Sequence, residues 1–169
     1  MSASDLFLGL LERECAVSRR VLERVPSGRE DWKPHDKSMP FGYLASLVAS
    51  MPEWVEMMIR RDELDLNPPG GAPPKPPMPR TAAELLAALE KNEAKSRDAL
   101  RATTDEHLLT PWRLLVGGRV VAEAPRQVMI GDTFTHQAHH RGQLTVYLRL
   151  LGVQVPSVYG PSADEKTFG

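Results

Sequence analysis

A chain of 169 residues is long enough for one domain with its own core and short for two. Hydrophobic residues at 41%, charged residues at 25% and a net charge of −1 give no electrostatic pull toward nucleic acid or anionic membranes. No apolar run of about 20 residues spans a bilayer, the stretch around Asp5 lacks the basic lead of a secretion signal, and the lone Cys15 fits a reducing compartment, so the expected location is the cytoplasm.

Phe7, Leu10, Leu11, Val17, Val21, Leu22 and Val25 recur at spacings of three and four and predict an amphipathic helix over residues 4–25. Ser4 is its expected cap, and Pro26 with Gly28 its stop. Cys15 falls inside as a small core residue. The connector 26–40 carries Trp32, Pro34, His35 and Pro40, which makes His35 a surface loop residue. A second helix is expected from Pro40 to about Leu64, with the stripe Leu44, Leu47, Val48, Met51, Val55, Met58 and Ile59. Pro52 cannot donate to the carbonyl four residues back and predicts a kink.

Residues 67–80 hold seven of the fifteen prolines and read as an extended, polyproline-like crossover. Thr81 with Glu84 is a capping-box pair opening a third helix to about Ala102, with Leu85, Leu86, Leu89 and Leu100 inward. Asn92, Glu93 and Ser96 interrupt that stripe and are expected to face the histidines across the bundle. A short turn over 105–109 leaves His107 exposed. Two apolar runs joined by Gly117-Gly118 predict a β-hairpin over 112–123. Pro125 opens a long last helix that Gly152 ends, and the tail 153–169 should wrap irregularly over the helices. The sum is one all-α domain over 1–169, a four-helix bundle with a small hairpin.

Three of the five histidines, His136, His139 and His140, lie within five residues of the last helix. At about 100° per residue they share a side with Val128, Met129, Leu144, Tyr147 and Leu151, while Arg141, Thr145 and Arg149 point the other way. His136 and His140, one turn apart, have the spacing by which two imidazoles share a metal ion. Gln137 stands where a metalloprotease HExxH motif needs its Glu, so peptidase chemistry is disfavoured. Asp132 sits one turn upstream as an acceptor that orients an imidazole or substitutes as a ligand, and Gln143 can bond a water or substrate. A metal centre and a metal-free polar cluster both satisfy this pattern.

His-x-x-His-His-Arg-Gly-Gln over 136–143, the apolar run to Gly152, the tail 159–165 and Trp32-x-Pro-His-x-x-Ser-Met39 together resemble the DinB/YfiT-like superfamily. The resemblance implies an up-down-down-up four-helix bundle, often a homodimer, with a divalent ion (Ni or Zn) on three histidines. It also implies relatives that act as bacillithiol- or mycothiol-dependent S-transferases, as a mycothiol-dependent isomerase, or as metal-dependent hydrolases. His136 and His140 match two ligands. His139 is left a packing or supporting role. The third ligand position matches Leu47, and residues 36–106 contain no histidine. The implied function is a metal-assisted thiol S-transferase or hydrolase with a degenerate site, the shell being completed by Asp132, Glu53, water or a bound thiol or carboxylate. The alternative is a metal-free, small-molecule-binding or stress-associated bundle. Expected partners are a small molecule or low-molecular-weight thiol and a second copy, with neither nucleic acid nor membrane.

Overall fold

The computed structural model describes residues 2–71 and 78–167; the middle of the proline-rich crossover, residues 72–77, lies outside them. Among the described residues the chain forms six helices and one three-stranded sheet.

Side-chain caps decide where two of the three long helices begin. Helix α1 (Ala3–Leu22) is capped by Ser2, two residues before the expected Ser4. Ser2 Oγ accepts the Asp5 amide at 3.1 Å and the Asp5 carboxylate accepts the Ser2 amide at 3.1 Å, a reciprocal box that Ser4 could not make. Pro40 precedes α2 (Phe41–Ser50), and Pro52 is the first residue of α3 (Pro52–Arg60). At the expected kink the helical hydrogen-bond ladder breaks at Met51, whose own backbone stays helical at φ −54° and ψ −35°. Helix α4 (Ala82–Ala102) opens on the predicted Thr81–Glu84 box, and α5 (Asp105–Leu108) is one turn capped by Thr104. Helix α6 (Arg126–Leu150) ends at Gly152, whose φ of +74° suits a residue without Cβ.

The second helix does not reach Leu64. It stops at Arg60, and Glu63–Asp65 form strand β1, parallel to β2 (Pro111–Val116). Strand β2 pairs antiparallel with β3 (Arg119–Pro125) in the predicted hairpin. Two acidic residues in a three-residue strand carry little β signal; their partners supply the reason. Glu63 pairs with Arg113 at 2.6 Å. The Asp65 carboxylate accepts the amides of Gly117 at 2.9 Å and Gly118 at 2.7 Å, closing the hairpin turn as an anion in a nest of backbone donors.

The helix break is repaired by polar side chains. Proline at 52 leaves the Val48 carbonyl without its helical donor, and the buried Gln137 amide of α6 supplies one at 3.2 Å. Asn92 Nδ2 donates to the Ala49 carbonyl at 3.2 Å. Ser96 Oγ inserts into the ladder, accepting from Glu56 N at 3.1 Å and donating to the Pro52 carbonyl at 2.5 Å. Asn92 and Ser96 thus serve the break and not the histidines, and Glu93 turns to Arg97 and Arg19. His107 is half-buried, not exposed, because its Nε2 lies 2.8 Å from the Ile59 carbonyl.

The apolar core lies where α1, α2, α3, α4 and α6 meet, around Leu11, Val21, Leu44, Val48, Leu89 and Leu144. Cys15 is wholly buried there, and desolvation pushes its thiol pKa well up, so it is a packing residue as expected. The tail docks through polar anchors: Glu165 meets Arg20 at 2.7 Å and Arg24 at 2.8 Å, and Asp164 meets Arg149 at 2.5 Å.

Candidate functional site

Helix α6 buries Ile130, Thr133, Phe134, Gln137, His140, Arg141, Leu144 and Leu148. The expected inward stripe is therefore rotated. His136 and His139 are exposed, Val128 is 46% exposed, and only His140 of the three histidines is buried. Arg141, expected to point to water, is completely buried. Its guanidinium meets Glu14 Oε2 at 2.6 Å, the Glu14 carbonyl at 3.1 Å and Ser18 Oγ at 3.0 Å, and it also donates to the Tyr159 hydroxyl. A charge with that many acceptors can be buried, which hydropathy periodicity does not foresee.

The rotation leaves the histidines on the edge of α6 nearest α3. His136 and His140 meet Nε2 to Nε2 at 2.8 Å, and His140 Nδ1 lies 2.8 Å from Gln143 Oε1. With Gln143 Oε1 accepting, as its amide is placed, His140 carries its proton on Nδ1 and offers the Nε2 lone pair to His136. His136 then donates from Nε2, leaving the lone pair of its Nδ1 for an outside donor. Its ring packs 5.6 Å from Trp54. Desolvation there, followed by repulsion from His140 and His139, holds the His136 pKa below the ordinary histidine value. His139 packs edge-on against His140, with ring centroids 5.1 Å apart.

His136 also forms part of the wall of a cavity of about 320 Å³ between α3, the sheet and α6. Trp54, Met57 and Met58 line it from α3, Trp112 and Leu114 from β2, and Met129, Asp132 and Thr133 from α6, with Leu64 and Leu66 closing the side. Sequence reading passed over Trp112 and Leu114 as wall residues; their spacing of two, which puts both on one face of β2, was the available signal. Asp132 is exposed at this cavity, and no hydrogen bond ties it to an imidazole among the described residues.

As a metal site the arrangement is incomplete. The two Nε2 atoms could form one edge of a coordination shell. Leu47, half-buried on α2, has no lone pair to add. Among the described residues no group of three or more His, Cys, Asp or Glu is placed to hold an ion. These residues do not fit a three-histidine centre.

The sequence model of the DinB family matches residues 82–167, from the start of α4 into the tail. The chain belongs to the DinB family. The match includes His136, His140 and Gln143 and leaves Leu47 and the Trp32 connector outside. Over 89 residues the chain is 29% identical to the uncharacterized protein YrdA of Bacillus subtilis (strain 168), a stretch covering 53% of this chain and 51% of that protein. It thus spans about half the length of that curated relative. Two solved structures share the DinB fold. A DinB-like protein from Bacillus cereus ATCC 10987 is 23% identical, with 90% of this chain and 95% of that one covered and a TM-score of 0.67. The DinB-like YjoA of Bacillus subtilis is 16% identical, with 87% and 92% covered and a TM-score of 0.63. No helix among the described residues is long and apolar enough to cross a membrane.

Proposed function

We propose that this DinB-family chain binds a small organic molecule in the cavity beside His136, with the His136–His140–Gln143 chain as its polar wall and no resident metal. The observation that carries the reading is the 2.8 Å Nε2–Nε2 contact at the edge of a cavity lined by Trp54 and Trp112. The contact pairs the two Nε2 atoms without an ion, and a cavity of about 320 Å³ falls in the range of roughly 300–1,000 Å³ usual for small-molecule sites. His136 is exposed as a residue and lines the cavity, and its remaining ring nitrogen, Nδ1, can accept a proton from a bound hydroxyl, thiol or ammonium.

A second reading is favoured by the convergence of the two Nε2 atoms. A divalent Ni or Zn ion sits on His136 and His140, completed by water or by a low-molecular-weight thiol, in a transferase or hydrolase. Elemental analysis of untagged protein separates the two. Less than about 0.1 equivalent of metal, with ligand binding unchanged by a chelator, supports the metal-free site; near one equivalent of Ni or Zn, or binding lost to chelator and restored by Zn²⁺, overturns it. We further read α2 and α3 as one broken member of an up-down-down-up four-helix bundle, a single cytoplasmic domain that pairs as a homodimer, a state that analytical ultracentrifugation reads directly.

A further inference from the structure

We infer that the cavity selects an organic ammonium: an amine with an aromatic or branched apolar body and a protonated nitrogen. The inference rests on the cavity reading above and adds the chemistry of the occupant. Most of the wall is apolar, contributed by two tryptophans, three methionines and three leucines. Only Asp132, Thr133 and His136 bring polar side chains.

What those three can offer decides the ligand. The Asp132 carboxylate is acceptor-only. It is exposed at the cavity, and no lysine, arginine or histidine pairs with it among the described residues. The tautomer imposed by Gln143 and His140 spends the one N–H of His136 on His140 and leaves an acceptor on Nδ1. The Thr133 hydroxyl spends its proton on the Met129 carbonyl at 3.0 Å. The Trp112 indole nitrogen has no partner but is sealed from solvent, so it is not presented to an occupant. The polar groups facing the cavity therefore accept and do not donate, and one of them is a full negative charge.

An occupant that satisfies them must supply donors and positive charge. A carboxylate or phosphate finds repulsion from Asp132 and no donor to replace its water. A neutral alcohol supplies one proton. An ammonium supplies three donors and the complementary charge, and an indole such as that of the half-buried Trp54 attracts cations as well as apolar surface.

Calorimetric titration of the full chain with phenylbutylamine, phenylbutanol and phenylbutyrate tests this, because the three share a body and differ in charge. The expected order is amine tightest, by roughly ten-fold over the alcohol, with the carboxylate weakest. Asp132→Asn should bring the amine to within about two-fold of the alcohol and leave the alcohol unchanged. Amine and alcohol binding equally, or the carboxylate binding best, overturns the ammonium assignment while leaving the cavity reading intact. Failure of all three to bind, with heats identical to those of a cavity-filling Met129→Trp variant, overturns both.

Discussion

Arg141→Met puts the rotated setting of α6 to a quantitative test. The substitution keeps an unbranched apolar stem, shorter than arginine's, and removes the charge, stranding Glu14, whose side chain is only 3% exposed. Removing one partner of a buried pair costs about 3–5 kcal/mol, because the other charge stays desolvated. Two features of the site place the expected value near the lower end, about 3 kcal/mol. Glu14 keeps the Tyr159 hydroxyl at 2.6 Å and also Arg13 at 2.9 Å, although Arg13 is 62% exposed and contributes little. For a chain of this size such a loss lowers Tm by roughly 6–12 °C. Urea unfolding followed by far-UV circular dichroism gives the free energy directly. The double variant Glu14→Met/Arg141→Met should recover most of the loss, since it strands no charge. Tyr159, 59% exposed as a residue, can then turn its hydroxyl to water. The pH dependence has a definite sign. Desolvation raises the Glu14 pKa, but the hydrogen bonds from Tyr159 and Arg141 outweigh it and the net shift is downward. The group's contribution is therefore fully present above the unfolded value of about 4.3 and is lost as pH falls through the lower folded value. The stability gap between the parent chain and Glu14→Gln should be flat at neutral pH and narrow in acid. A cost below about 1 kcal/mol for Arg141→Met, or a gap that widens in acid, refutes the reasoning.

The break at Met51 yields a test by coupling. Gln137→Leu leaves the Val48 carbonyl without a donor and should cost about 1–3 kcal/mol. Pro52→Ala restores a backbone N–H in position to reach that carbonyl, so the cost of Gln137→Leu in that background should fall by about 1 kcal/mol; additivity within about 0.5 kcal/mol in urea melts would show that Gln137 does not replace the proline's missing donor. Leu47→His probes the third-ligand position that the family resemblance implies. Val48 meets Gln137, so Leu47 and His136 are the sequence neighbours of that contact pair. Placing an imidazole there should tighten Zn²⁺ or Ni²⁺ binding by roughly ten-fold or more in calorimetric titration. An unchanged titration would mean that position 47 does not face the pair.

The helices were legible where a local rule decides them. Apolar spacing gave α1, the Thr81–Glu84 box opened α4, Pro125 and Gly152 bounded α6, Pro52 marked the interruption as a kink, and Gly117-Gly118 located the hairpin. Strand β1 was not legible, because Glu63-Leu64-Asp65 becomes a strand only through Arg113 and the glycine amides of a turn some fifty residues away. At the site the same division holds. The His136–His140 spacing could be read from the helical period alone. The cavity could not, since its wall comes from α3, two strands and α6. The face of α6 was misjudged because hydropathy treats Arg141 and Gln137 as outward residues. Their burial depends on Glu14 and on a carbonyl that a distant proline leaves free.

Those two residues explain why the histidines stand where they do. Gln137 follows His136 in sequence, and Arg141 follows His140. Each is buried against a different element: Gln137 on α2 at the break, and Arg141 on α1. Arg126, at the start of the same helix and only 2% exposed, is fixed to the end of α3 by a 2.9 Å bond to the Met58 carbonyl. Three buried polar contacts spread along α6 set its rotation more tightly than apolar packing could, because a slip of one residue would strand all three. That rotation holds His136 at the cavity and brings His140 within 2.8 Å of it. In the His-x-x-His-His-Arg-Gly-Gln run the arginine is thus a positioning residue, and the glutamine at 143 sets the His140 tautomer. Loosening α6 with Arg141→Met should therefore weaken phenylbutylamine binding even at temperatures where the variant is fully folded, whereas the double variant with Glu14→Met, which restores packing without restoring the anchor, should recover stability more completely than it recovers binding.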